Sequence, residues 1–184
     1  MDSTENSNRK VLVVEDSRPD RFRFRSILEM IGTDFNFAWN AKTQKVPEID
    51  EIIILIEKVN PSILLLDLSW TIDDDRLLQK LLFKDKHEIE EIKQGIEKGN
   101  SHYNLKKWIS GFRLLEKIKS EQESKQFKDL KIFVTTQYVP PVAYGLIKYL
   151  REEYHSVIKV IIHKWRDEKK LMSIISNINE DLVK

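Results

Sequence analysis

Four short stretches of this 184-residue chain each run from apolar residues into a group able to do chemistry. Val11–Val14 leads into Glu15-Asp16, Ile63–Leu66 into Asp67, Ile132–Val134 into Thr135-Thr136, and Val160–Ile162 into His163-Lys164. Three carboxylates brought close together cannot all stay ionised without a counter-charge. An oxygen-rich acidic cluster suits Mg²⁺, a hard cation that takes few protein ligands and keeps several waters. Such an ion would neutralise the site and clamp a phosphoryl group. A carboxylate could then attack phosphorus as a nucleophile and give an aspartyl phosphate. Lys164 and the Thr135 hydroxyl would hold the transferred oxygens, because this chemistry is mainly positioning and charge stabilisation.

These groups meet only if the apolar runs become neighbouring strands with their carboxyl ends level. Continuous rather than alternating apolar residues predict strands buried on both faces of a parallel sheet. A further strand is expected at Phe35–Trp39. Helical spacing lies between the runs. Phe24, Ile27, Leu28 and Ile31 follow Ser17 as N-cap and Pro19 in the first turn, with Gly32 as the stop. Ile49, Ile52, Ile53 and Ile56 form a second stripe, closed by Asn60-Pro61. Phe112, Leu115 and Ile118 form a third. Pro141 opens a fourth helix, with Val142, Leu146, Ile147 and Leu150 inward, and Leu171, Ile174, Ile175, Ile178 and Leu182 mark the last. Strict alternation of strand and helix implies an α/β, doubly wound, five-stranded parallel sheet joined by right-handed crossovers. In such sheets ligands bind beyond the carboxyl ends of the strands. In the common doubly wound order, the ends carrying Glu15-Asp16, Asp67, Thr135 and Lys164 converge.

One stretch does not fit the alternation. Residues 73–110 contain no strand signal, but Leu78, Leu82, Ile89, Ile92 and Ile96 trace an amphipathic helical stripe. It is expected to be a helical insertion that packs on its own domain. The chain should form one domain over residues 1–184, with a flexible polar N-terminus at residues 1–8.

Composition narrows the functional classes. The 31 Lys+Arg and 30 Asp+Glu nearly cancel, so no field steers the chain to nucleic acid or an anionic membrane. Without cysteine, disulfides, zinc–thiolate sites and thiol catalysis are excluded. The N-terminus has no apolar signal region, and the purest apolar runs, Ile52–Ile56 and Ile63–Leu66, are too short to span a bilayer. A cytoplasmic protein is expected.

The runs Val11-Leu12-Val13-Val14-Glu15-Asp16, Leu64-Leu65-Leu66-Asp67, Phe133-Val134-Thr135 and Ile162-His163-Lys164 resemble the receiver domain of two-component response regulators, CheY-like proteins. Gly111-Phe112-Arg113-Leu114-Leu115 resembles the stretch that opens the family's third helix. The resemblance covers the chain outside the insertion. It implies the flavodoxin-like strand order 2-1-3-4-5 and a phosphorelay switch. Asp67 would be the phosphoacceptor, and Asp16 would bind Mg²⁺ directly while Glu15 helps through water. The backbone carbonyl of Ser69 would be a further metal ligand. Thr135 would sense the phosphoryl group, and Lys164 would pair with it. Three positions depart from the family pattern. Trp165 stands where the family has a cis proline, and a cis bond before Trp would cost about 2.5–4 kcal/mol, so that loop should differ. Ile161 stands at the aromatic switch position, and Thr136 at a position that is usually small.

The implied protein is a stand-alone receiver rather than a turnover enzyme. Its donor would be a histidine kinase or histidine phosphotransfer protein, and its output a contact with a downstream protein target, with a homodimer left open. The first alternative is a receiver-like interaction module that is not phosphorylated. The second is a phosphohydrolase with Asp67 as nucleophile, disfavoured because Ser69 stands where a second acid is needed. Singly, the site residues also have plainer readings. Asp67 could cap a turn, Glu15-Asp16 could be solvated loop acids, Thr135 an ordinary strand residue and Lys164 a surface lysine. His163, in or beside a strand, reads as structural.

Overall fold

The structure, a computed structural model, describes residues 10–68, 70, 110–123, 127, 129–136, 144–164 and 167–176. The expected insertion at 73–110, apart from Ser110, and the Pro141 and Val142 helix opening lie outside these residues. So do Ile178 and Leu182.

The described elements alternate throughout. They are β1 (Lys10–Val14), α1 (Arg18–Met30), β2 (Asp34–Phe37), α2 (Ile49–Val59) and β3 (Ile63–Asp67). They continue with α3 (Ser110–Glu123), β4 (Lys131–Thr136), α4 (Tyr144–Glu153), β5 (Ile158–His163) and α5 (Glu168–Ser176). All five strands are parallel, in the order β2-β1-β3-β4-β5. This is the expected doubly wound, flavodoxin-like sheet. The second strand is shorter than Phe35–Trp39 because pairing with β1 ends at Phe37, after which Trp39 turns to meet Arg21.

The central strands carry apolar residues at successive positions because both faces are covered. Leu12, Val14, Leu64, Leu66, Ile132 and Val134 pack with Ile52 and Ile56 of α2, Phe112, Leu115 and Ile118 of α3, and Leu150 of α4. On the opposite face Val11, Val13, Ile63, Leu65, Phe133 and Ile162 pack with Phe24, Ile27 and Leu28 of α1 and Leu171 and Ile175 of α5. Alternate residues of one strand thus enter different cores, as the period of two requires. Arg23 of α1 and Glu168 of α5 meet at 2.5 Å on their partly exposed rim.

Helix ends follow local chemistry. The Ser17 hydroxyl accepts from the Asp20 N–H at 3.4 Å, and proline occupies the first turn of α1. Gly32, at φ 66°, takes the left-handed position after that helix. Asn60 does the same after α2, at φ 48°.

The register decides what can meet at the strand ends. Val14 lies beside Leu66, Asp67 beside Thr135, and Thr136 beside His163. β1, β3, β4 and β5 therefore finish nearly level. Gly111 then brings α3 against the exit of β3. Its N–H donates to the Leu68 carbonyl at 3.0 Å. A Cβ at position 111 would lie 2.5 Å from that carbonyl oxygen and 2.6 Å from the Leu68 Cα. Both atoms are backbone, so relief requires α3 or the segment after Asp67 to shift. Gly111→Ala should lower stability by about 1–3 kcal/mol, as overpacking does. Urea unfolding would read this as a lower midpoint with an unchanged slope, and an unchanged midpoint would contradict the close approach.

Candidate functional site

A single ammonium organises the carboxyl ends of the strands. Lys164 follows β5 directly, and its N–H donates to the Thr136 carbonyl at 2.9 Å, which turns its side chain back over the sheet. Its Nζ lies 2.8 Å from Glu15 Oε2, 2.9 Å from Asp67 Oδ2 and 3.4 Å from Asp20 Oδ2. All four side chains are buried, with Lys164 8% exposed and Glu15 1%. Lys164 is thus no surface lysine, and Glu15 no solvated loop acid.

The neighbouring bonds fix the acids. Glu15 Oε1 accepts from the Ser17 N–H at 3.0 Å, and Asp67 Oδ1 from the Leu68 N–H at 2.8 Å. Arg21 grips the same loop from α1. Its guanidinium donates to the carbonyl oxygens of Glu15, at 3.2 Å, and of Asp16, and lies 3.5 Å from the ring centre of Trp39. Asp16 is exposed at the mouth. Glu15, Asp16 and Asp67 each offer an oxygen within 4.8 Å of the others. Thr135, next to Asp67 in register, is buried, and its Oγ1 has no hydrogen-bond partner among the described residues.

The electrostatics follow from burial. Desolvation, and then the neighbouring Asp67, push the Glu15 carboxyl up to about 8 despite Lys164. Burial likewise raises Asp67 to about 6, with Lys164 opposing. Burial pulls the Lys164 ammonium down, but Asp67 and Glu15 outweigh it and hold it above its ordinary value. One lysine therefore does not fully compensate this cluster. Close carboxylate oxygens and a hydroxyl lacking a partner are a donor set that fits Mg²⁺ and a phosphoryl group.

The sequence-predicted residues Glu15, Asp16, Asp67, Thr135 and Lys164 are brought together. The backbone carbonyl of Ser69, and Trp165, lie outside the described residues. Asp20 was not expected. Acids in a helix's first turn are ordinarily read as partners of the helix dipole. The one signal of a further role is its position one turn after Asp16, on the side of α1 that faces the strand ends.

No protein-family model matches the chain, and no curated protein matches its sequence. Solved structures do resemble it. The CheY-like receiver domain of a response regulator from Methylobacillus flagellatus superimposes with a TM-score of 0.53 at 15% identity, over 94% of this chain and 99% of that one. The chain has the response-regulator receiver fold. The non-phosphorylated receiver domain of the stress response regulator RcsB from Escherichia coli gives 0.53 at 18% identity, over 94% and 93% of the two chains. The chemotaxis protein CheY4 from Vibrio cholerae gives 0.53 at 14%, over 91% and 95%. At such identities the likeness speaks for the receiver fold, and the site must be argued from its own residues. Among the described residues, no helix is long and apolar enough to cross a membrane.

The raised carboxyls predict a pH dependence. A group with a raised folded value stabilises the fold fully below its ordinary value, and that stabilisation is lost as pH rises through the folded one. For Glu15 the window runs from 4.5 to about 8, and for Asp67 from 3.8 to about 6. The metal-free protein should therefore lose urea resistance as pH rises across these windows. Glu15→Gln should flatten the upper part of the slope. A wild-type midpoint constant between these limits would contradict the assigned burial.

Proposed function

We propose that this chain is a phosphoacceptor switch of a two-component phosphorelay, phosphorylated on Asp67. The observation that carries the reading is the buried Lys164–Asp67 pair beside the unpartnered Thr135 hydroxyl and the Glu15–Asp16–Asp67 cluster.

A carboxylate oxygen of Asp67 attacks the phosphorus of the donor. The new O–P bond forms as the bond from phosphorus to the leaving group breaks, and the leaving group keeps the electron pair. The donor class is a histidine kinase or a histidine phosphotransfer protein. Asp16 and Asp67 would hold Mg²⁺, with Glu15 acting through water and the Ser69 carbonyl as a further ligand. The ion, when bound, neutralises the phosphoryl oxygens and the acids around them. Lys164 releases Asp67 and pairs with a phosphoryl oxygen, and Thr135 Oγ1 donates to another. The chain accepts a group and holds it, so it is a switch rather than a turnover enzyme. It would work in the cytoplasm and signal through contact with a downstream protein.

A second reading is supported by one position. Ile161, where the family has its aromatic switch, is partly buried and packs against the core layer of α2, α3 and α4. A receiver-like interaction module that is never phosphorylated would have no need of an aromatic there.

Intact mass after incubation with acetyl phosphate and Mg²⁺ separates the two. The switch predicts a gain of one phosphoryl group that is lost without Mg²⁺ and in Asp67→Asn. No gain in the wild type, under conditions that phosphorylate a known receiver, would favour the interaction module.

A further inference from the structure

We infer that Asp20 is a fourth carboxylate of the metal site and acts on the ion through metal-bound water. This rests on the Mg²⁺-binding part of the proposed function and extends it to a residue outside the Glu15–Asp16–Asp67 cluster.

Asp20 stands in the first turn of α1, set there by the Ser17 cap and the adjacent proline. A first-turn acid can serve the helix dipole from the surface, so burial is not required for that role. Asp20 is 5% exposed and turned inward to Lys164. Lys164 has three protons to donate. Glu15 and Asp67 take the short contacts, at 2.8 and 2.9 Å, and Asp20 Oδ2 is left at 3.4 Å. That is long for a charge-assisted bond, which normally falls near 2.7–2.9 Å. Asp20 Oδ1 is buried and has no hydrogen-bond partner among the described residues. Burying a carboxylate with one weak contact and one empty oxygen is costly unless a further donor arrives.

Mg²⁺ supplies donors of the required kind. It keeps several waters, and their hydrogens need acceptors around the first ligands. The unfilled acceptor of Asp20 and the unfilled donors of a hydrated ion complete each other. Asp20 is thus a positioning residue: it touches neither phosphorus nor the attacking oxygen, but orients water on the ion and shares Lys164 with the acceptor.

The test is calorimetric titration of the full chain with Mg²⁺ and, separately, Ca²⁺. The variants are Asp20→Asn, Asp67→Asn and Asp50→Asn. Asp50 is an exposed first-turn acid of α2, and so a control for loss of one helix-terminal charge. Loss of an outer partner of a metal typically weakens binding ~10–100-fold. Asp20→Asn should do this for Mg²⁺, while Asp50→Asn stays within about twofold of wild type. Ca²⁺, which sheds water and takes more protein oxygens, should lose much less. Asp20→Asn within about twofold of wild type for Mg²⁺ would overturn the inference. Equal losses for both ions would overturn it too, by assigning Asp20 to Lys164 alone. Wild type that binds no Mg²⁺, or binds it unchanged in Asp67→Asn, would instead sink the metal-site reading underneath. If Asp20→Asn loses its cooperative melting transition, Asp20→Ser is titrated in its place against the same criteria.

Discussion

A buried ammonium with three carboxylates around it sets the terms for everything at the carboxyl edge of this sheet. Lys164 is the cation that lets Glu15, Asp20 and Asp67 leave water together, and its contacts come from three different elements. Charges in so poorly solvated a place interact strongly, and an imbalance there is costly. The carboxyls of Glu15 and Asp67 are raised chiefly by that burial, and further by the acids beside them. Under the proposed function, a site held in this condition would favour added positive charge and would respond when one of its carboxylates is esterified. The proposed receptivity to a cation and the proposed sensitivity to a phosphoryl group would then have one physical origin.

The rest of the fold keeps that edge in register. Two apolar layers clamp the sheet, so the strands cannot slip without turning core side chains to the wrong face. Strand pairing then sets Asp67 beside Thr135. Arg21 ties the Glu15-Asp16 backbone to α1 and Trp39, while Gly111 lets α3 come against the residue after Asp67. Each device fixes backbone rather than a reacting side chain. The acids are consequently held by geometry that survives changes in their own charge.

Much of this was legible in the residues. Continuous apolar runs ending in polar groups located four strands and their functional ends, because strands buried on both faces must be apolar throughout. Ser17, Gly32 and Asn60 announced helix ends through their backbone preferences. Asp20 was not legible, since its meaning lies in a contact with Lys164, distant in sequence, that no local pattern carries. Lys164 was placed at the converging strand ends by its position after the last apolar run, and the sequence left open only that it is buried among Glu15, Asp20 and Asp67. The extent of β2 was misjudged for a related reason, as Trp39 continues the aromatic pattern but serves as the platform for Arg21.

The departures at Ile161 and Thr136 bear on how a change at Asp67 would travel. Coupling through an aromatic ring requires a ring, and Ile161 has none; it is packed against the core layer of α2, α3 and α4. Among the described residues a backbone connection is present. Lys164 donates to the Thr136 carbonyl, and Thr136 is bonded to Thr135, which lies beside Asp67. The two groups that would meet a phosphoryl oxygen, Thr135 and Lys164, are therefore linked through one peptide and one hydrogen bond. Movement of either drags the ends of β4 and β5 as a pair. Under the proposed function, a change at Asp67 would reach the ends of β4 and β5 through this link, while Ile161 stays partly buried against the core layer.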